Sequence, residues 1–365
     1  MAKMHKPLLH VTKRNSVSWK YAVGLRAGAI IVSVIIMALL LLALGKNPMV
    51  VLGAMFDGVF GESLRVWRLF SNTAILLGIS LALTPAFKMK FWNCGGEGQV
   101  MVGALVSAAL MFFFGKTLPL PVLFILIVLT SVLAGALWGV IPALFKARWN
   151  TNETLFTLMM NYIALQLVTF FLKMFGNSQG NLDPMPQYAF PRAFGGPYFL
   201  NIVLVAVICA VMYVYLRYSK HGYEISVVGE SERTAKYIGI NVPKVIIRTM
   251  IVSGGLCGFI GMLLVANGSC SVTTTITGGQ GFTAILVSWL GKFNPLYMIL
   301  TAFLVIFLQQ GTSYMGDIYR LDTSMADIFI GIALLAIIGC EFFIHYKVNF
   351  TKKIAHNSAG EGETK

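Results

Sequence analysis

The segment Asn93-Cys-Gly-Gly-Glu-Gly-Gln99 sets two amides, a carboxylate and three glycines within seven residues of a mostly apolar chain. Such a segment can hydrogen-bond an uncharged polar solute, and its glycines permit close backbone approach or a broken helix. Asn72, Asn161, Gln166, Gln280 and Gln309 add amides within or beside apolar runs, and Phe282 places an aromatic ring beside Gln280. Together with Asn93, Glu97 and Gln99 they are the expected lining of a solute path. Gly278–Phe282 can serve as a broken-helix gate or as a plain connector. Amides and hydroxyls inside membrane proteins also join helices without any further role, so both uses remain open for each residue.

The chemistry that is missing narrows the function further. Gly115-Lys116-Thr117 looks like the end of a phosphate-gripping loop, but Leu110 stands where that loop needs a glycine. No HExxH, GxSxG or paired metal-ligand pattern occurs, and the five cysteines form no CxxC pair. An enzyme, a metal site and a cofactor bound by this chain are therefore not expected. An ion-coupled carrier, the alternative reading, should carry several ionisable groups at mid-membrane. Lys173, Asp327 and Glu341 fall instead near the ends of apolar runs, where snorkelling or the polar interface accommodates them.

The elements that must hold these residues are membrane helices. Of 365 residues 57% are hydrophobic and 12% charged, about half the charge of a soluble domain. Apolar runs near 27–45, 69–87, 98–114, 121–145, 155–175, 199–216, 246–266, 281–292, 295–311 and 325–345 approach the roughly 20 residues that one helical crossing needs. The expected fold is all-α, a polytopic helix bundle of about ten spans. The eighth run is too short to cross alone, so the count lies between eight and ten. Residues 1–26 form an N-terminal tail, 27–345 the transmembrane domain and 346–365 a polar C-terminal tail. With ten alternating spans and an inner N-terminus, inner segments hold 21 of the 28 Lys and Arg residues. That is the positive-inside pattern, with both termini cytoplasmic. The same distribution argues against nucleic acid as the partner of the +14 net charge, since the cations lie in tails and loops rather than on one folded basic face. Membrane lipid is the expected surrounding.

Two loops stand out. The outer loop 176–198 is rich in Gly, Pro and Asn and predicts irregular structure. The inner loop 217–245 predicts a short helix: Ser231 as its cap, Glu232 in its first turn, Gly239 after its end, and Asn241 with Pro243 opening the next span. Ala235 and Ile238 would give this helix a small apolar face, rimmed by Glu232, Arg233 and Lys236, suited to docking another protein.

Four segments in order resemble the permease family of branched-chain amino acid, simple-sugar and nucleoside importers. Asn93–Gln99 followed by VMVGAL is similar to the N-I-G-x-E-G-Q signature of the nucleoside-type branch, with Cys94 in place of Ile. Asn152-Glu153, Thr157 and Asn161-Tyr162 are similar to that branch's N-E-x-x-x-T-x-x-x-N-Y pattern. VVGESERTAKYIGI (227–240) matches the family's cytoplasmic coupling segment through Gly229, Ala235, Gly239 and Ile240. GGQGFTAILVSWLGKFNP (278–295) is similar to its G-x-G-F-x-x-I-x-V-x-x-L-G-x-x-N-P stretch. The resemblance implies an ATP-binding-cassette importer with ATP held by separate ATPase subunits. Gly229, Glu230, Glu232, Arg233, Ala235, Lys236, Ile238, Gly239 and Ile240 would contact those subunits. It further implies a second permease subunit, a paralogue in this branch, an extracytoplasmic substrate-binding protein, a place in the bacterial inner membrane, and a nucleoside or pentose-type sugar as solute.

Overall fold

The computed structural model describes residues 9–14, 18–177, 181–189, 198–266, 270–320 and 323–350. In chain order these form β1 (Leu9–Lys13), α1 (Trp19–Ala43), α2 (Pro48–Phe60), α3 (Ser63–Lys88), α4 (Gly96–Phe114), α5 (Leu120–Trp149) and α6 (Glu153–Phe175). Then follow α7 (Phe199–Tyr218), α8 (Lys220–Glu230), α9 (Glu232–Tyr237), α10 (Val242–Leu264), α11 (Gln280–Leu290), α12 (Pro295–Tyr319), α13 (Thr323–His345) and β2 (Tyr346–Phe350). Among the described residues nine helices are long and apolar enough to cross a membrane, and the chain is a polytopic helix bundle. The chain divides into two compact units, Phe56–Gly311 and Met1–Met55 with Thr312–Lys365.

In the larger unit burial runs opposite to hydropathy. The apolar window of α3 is 89% buried, although α3 is among the least apolar of the long helices; α5 and α7, among the most apolar, are each 28% buried. Leu129, Leu133 and Leu137 of α5 are all more than half exposed. Water would not tolerate such a stripe on this scale, whereas lipid tails accept it, and the less apolar helices go inside. α10 packs most extensively on α5 and next on α4, and α3 lies against α7, α10 and α11. Glycines set the separation: a Cβ on Gly258 would lie 2.1 Å from the Ser131 carbonyl oxygen, and one on Gly135 would lie 2.3 Å from that of Gly254.

α11 occupies the eighth apolar run and is 11 residues long. At 1.5 Å per residue it covers about 16 Å, half of a bilayer's hydrocarbon core. Its buried residues Gly281, Ala284, Val287 and Ser288 lie on one side, and Ser288 donates to the Ser80 carbonyl of α3 at 3.0 Å.

In the smaller unit α1 packs against α13, and Arg26 Nε donates to Glu341 Oε1 at 2.8 Å. β1 and β2 pair antiparallel, Leu9 opposite Phe350 and Lys13 opposite Tyr346. The segments entering α1 and leaving α13 thus lie side by side.

Three expectations require adjustment. Residues 48–60, for which no element was expected, form α2. The inner loop holds two helices rather than one, because Ser219 caps α8 through Gly222 N before Ser231 caps α9 through Thr234 N. The C-terminal tail opens with β2, and its residues 351–365 lie outside the described residues, as does much of the outer loop 176–198.

Candidate functional site

The two polar motifs of the first half meet in space. Asn93 caps the turn before α4 by accepting from Gly95 N (3.1 Å), and it donates to Gln99 Oε1 (3.3 Å) and Ser253 Oγ (3.2 Å). Gln99 Nε2 returns a bond to Asn93 Oδ1 at 3.2 Å. From α6, Thr157 Oγ1 accepts from Cys94 N, and Asn161 one turn later both accepts from Gly98 N (2.8 Å) and donates to the Cys94 carbonyl (2.9 Å). The i, i+4 spacing of Thr157 and Asn161 puts both on the α6 face that meets α4. Gly98 is obligatory, since a Cβ there would lie 2.8 Å from Asn161 Oδ1.

Replacing Asn161 by alanine strands one buried N–H and one part-buried carbonyl. The expected cost is about 2–4 kcal/mol, read as an earlier thermal transition in detergent. A cost below about 0.5 kcal/mol would show that the amide does not join these helices.

Glu97 acts at longer range. Its carboxylate accepts from Thr277 Oγ1, from Gly279 N at 3.0 Å and from Gly281 N at 2.6 Å. It thereby takes up the free N–H groups of the short helix α11 and complements the positive end of its dipole. Gly279 sits at φ +74°, the left-handed turn that starts α11. Asn93, Glu97, Gln99 and Asn161 are thus engaged in joining α4, α6, α10 and α11. Two of the other expected path residues differ: Gln280 Oε1 is buried and finds no partner among the described residues, and Phe282 is 45% exposed. Gln166 is exposed on α6, while Asn72 and Gln309 are half-buried.

The inner helix pair α8–α9 is seated on the bundle. Ile225, Val228 and Ala235 share a buried cluster with Ala86, Met89 and Phe91 at the end of α3, Ala143 of α5, and Val242, Val245, Ile246 and Met250 of α10. Gly229 lets the α8 backbone lie against that of α3, where a Cβ would come within 2.1 Å of the Lys88 carbonyl oxygen. Asn241 caps α10 by accepting from Lys244 N. The expected docking face is corrected by this packing. Ala235 is wholly buried and anchors α9 to its own chain, while Ile238 is half exposed. The outward face comprises Glu232, Arg233, Lys236, Tyr237 and Ile238, with Glu230 and Gly239 exposed beside it and Ile240 packed against the cluster. Tyr237, 92% exposed, was not singled out from the sequence.

Arg248 Nη2 donates to Glu224 Oε2 at 2.6 Å and fixes α8 to α10. That hydrogen bond holds the Glu224 carboxyl below its ordinary value of 4.5. A depressed carboxyl pKa stabilises the fold above 4.5 and loses that contribution as pH falls through the lowered folded value. Thermal stability of the parent should therefore drop on acidification below pH 4.5 more steeply than that of Glu224→Gln. Parallel curves would remove the pair from the seating of α8.

Residues 65–338 match the family model described as branched-chain amino acid transport system / permease component. The chain is 25% identical to a glucose ABC transporter permease protein of Haloferax volcanii, over 93% of each chain. It is 29% identical to a guanosine ABC transporter permease protein of Bacillus subtilis, covering 90% of this chain and 96% of the relative. A nucleoside ABC transporter permease protein of Lactococcus lactis is 26% identical over 79% of this chain and 83% of its own length. With three quarters of its length inside that family model and a bundle built to sit in lipid, this chain belongs to the branched-chain amino acid transport system permease family, as a permease subunit of an ABC transporter.

Proposed function

We propose that the chain forms half of the translocation path of an importer for a nucleoside or simple sugar, driven by ATPase subunits that dock on α8–α9. The observation that carries the coupling role is the seated helix pair, buried on one side through Ala235 and exposing Arg233, Lys236, Tyr237 and Ile238 on the other. A rigid seat converts movement of a docked partner into movement of α3, α5 and α10. The solute class rests on the amide-rich interior and on relatives named for guanosine, nucleosides and glucose. Gln280 and Phe282, at the head of α11, are the groups that offer an unfilled acceptor and an aromatic face to such a solute. The charge bias puts α8–α9 and both termini on the cytoplasmic side of the inner membrane. The paired β1 and β2 favour an even number of crossings, which supports reading α11 with the turns of residues 270–279 before it as a tenth beside the nine long helices among the described residues. The second permease would be a paralogue, in keeping with two guanosine permease relatives in one Bacillus. An extracytoplasmic binding protein would deliver the solute.

The test is uptake of labelled nucleosides and pentoses into proteoliposomes that hold this chain with its ATPase, second permease and binding protein. Saturable uptake that requires ATP and the ATPase supports the reading. Uptake that follows an ion gradient without ATP would replace it with a secondary carrier.

A further inference from the structure

A cavity of about 480 Å³ opens beside α8, on the side away from the buried cluster. Its wall includes Lys88 at the end of α3, Arg217 at the end of α7, and Lys292 in the turn between α11 and α12. Tyr213 of α7, Tyr223 and Ser226 of α8 and Asn294 at the head of α12 complete the polar part, and no Asp or Glu lines it. Among the described residues Lys88, Arg217 and Lys292 make no salt bridge; Arg217 only donates to the Tyr213 hydroxyl at 3.3 Å and lies over tyrosine rings.

Helix ends do not account for this charge. α3, α7 and α11 end here, and α8 and α12 begin here. At about half a unit charge per end the five ends sum to about half a negative charge, against three cations. The turn carrying Lys292 is also held in an unfavourable form, because Lys292 and Phe293 are consecutive non-glycine residues at φ +51° and +56°. It is this turn that brings a third cation to the rim.

We infer that this cavity binds a phosphate group, clamped by Lys88, Arg217 and Lys292 and hydrogen-bonded by Tyr223 or Asn294. A phosphate supplies the negative charge and the several acceptor oxygens that converging Lys and Arg donors match. The cavity lies where membrane helices end, at the depth of lipid phosphates, so the group belongs either to an anionic phospholipid or to soluble phosphate. Occupancy would tie α3, α7 and the α11–α12 turn to α8, and so stiffen the seat of α8–α9. The inference needs only the membrane-embedded fold and no ATPase, so it stands or falls apart from the importer reading.

The full-length chain is reconstituted in nanodiscs of phosphatidylcholine alone, and inorganic phosphate is titrated while thermal unfolding is followed. In a second arm phosphatidylglycerol is added and retained lipid is counted by native mass spectrometry. Lys292→Gln and Arg217→Gln, both at exposed positions, are compared with Lys116→Gln as a charge control. Binding in one arm that weakens about ten-fold in each cavity variant, and not in the control, is expected; the arm that responds identifies the source. Lys292→Arg should retain it. Binding that is equal in all variants, that falls equally in the control, or that appears in neither arm overturns the site.

Discussion

Leucine in place of Gly258 is expected to leave no folded protein in a membrane extract. α10 meets α4 and α5 through glycines that bring backbone against backbone: Gly258 against Ser131, Gly261 against Val100, and Gly254 against Gly135. A Cβ on Gly258 or Gly261 would lie 2.1 Å from a carbonyl oxygen, and the atom met is backbone in each case. No rotamer change relieves such a contact; the helices must separate, and every neighbouring contact along them loosens. Gly258→Ala should cost about 3 kcal/mol, and Gly258→Leu enough to exhaust the roughly 5–15 kcal/mol that holds a domain together. Gly331→Ala on α13 provides the control. Nothing lies within 4 Å of its added Cβ, so alanine there should be neutral or stabilise the helix by up to about 1 kcal/mol. Fluorescence-detected size exclusion and thermal transitions of the three variants decide the matter. A monodisperse Gly258→Leu peak at normal yield would mean that α10 does not pack as described.

What could be read from the residues, and what could not, follows the range of the interactions. The long apolar runs, the brevity of the eighth, and the caps Ser231 and Asn241 depend on neighbours within a few positions, and each appears in the structure where the local pattern places it. Glu97 is different. Its partners Thr277, Gly279 and Gly281 lie some 180 residues away, and nothing near Glu97 marks it as the cap of another helix. A carboxylate near a suspected path and a carboxylate that caps a half-helix look alike in sequence. The face of α9 was misjudged for a related reason. Six residues make less than two turns, too few for periodicity to tell the inward side from the outward one, so Ala235 and Ile238 appeared equivalent. α8 was missed because Gly222 and Gly229 weaken its helical signal, yet Gly229 is there to let α8 lie on the end of α3. The i, i+4 spacing of Gly254 and Gly258, passed over in reading the residues, is a pattern of close helix packing. Its partners on α4 and α5 were not legible, since small residues are frequent in many membrane helices.

The seating of α9 makes opposite predictions for adjacent side chains. Ala235→Glu would force a carboxylate into the apolar cluster formed by Met89, Ile225, Val242 and Met250. The expected result is loss of the folded chain, so a transport defect in that variant says nothing about coupling. Tyr237→Ala combined with Arg233→Glu changes only exposed positions. It should leave membrane insertion and the thermal transition of the isolated chain unchanged. Tyrosine and arginine are the residue types that dominate interface energetics, at about 2 kcal/mol or more each when truncated. Loss of both should weaken ATPase docking by about a thousand-fold and lower ATP-driven uptake to background. Copurification of the ATPase and uptake in proteoliposomes report the two consequences separately. Retained copurification with lost uptake would assign the face to transmitting force rather than to holding the partner. Unimpaired copurification and uptake would move the ATPase contact away from α9, because no exposed apolar anchor other than Ile238 would then remain on this helix.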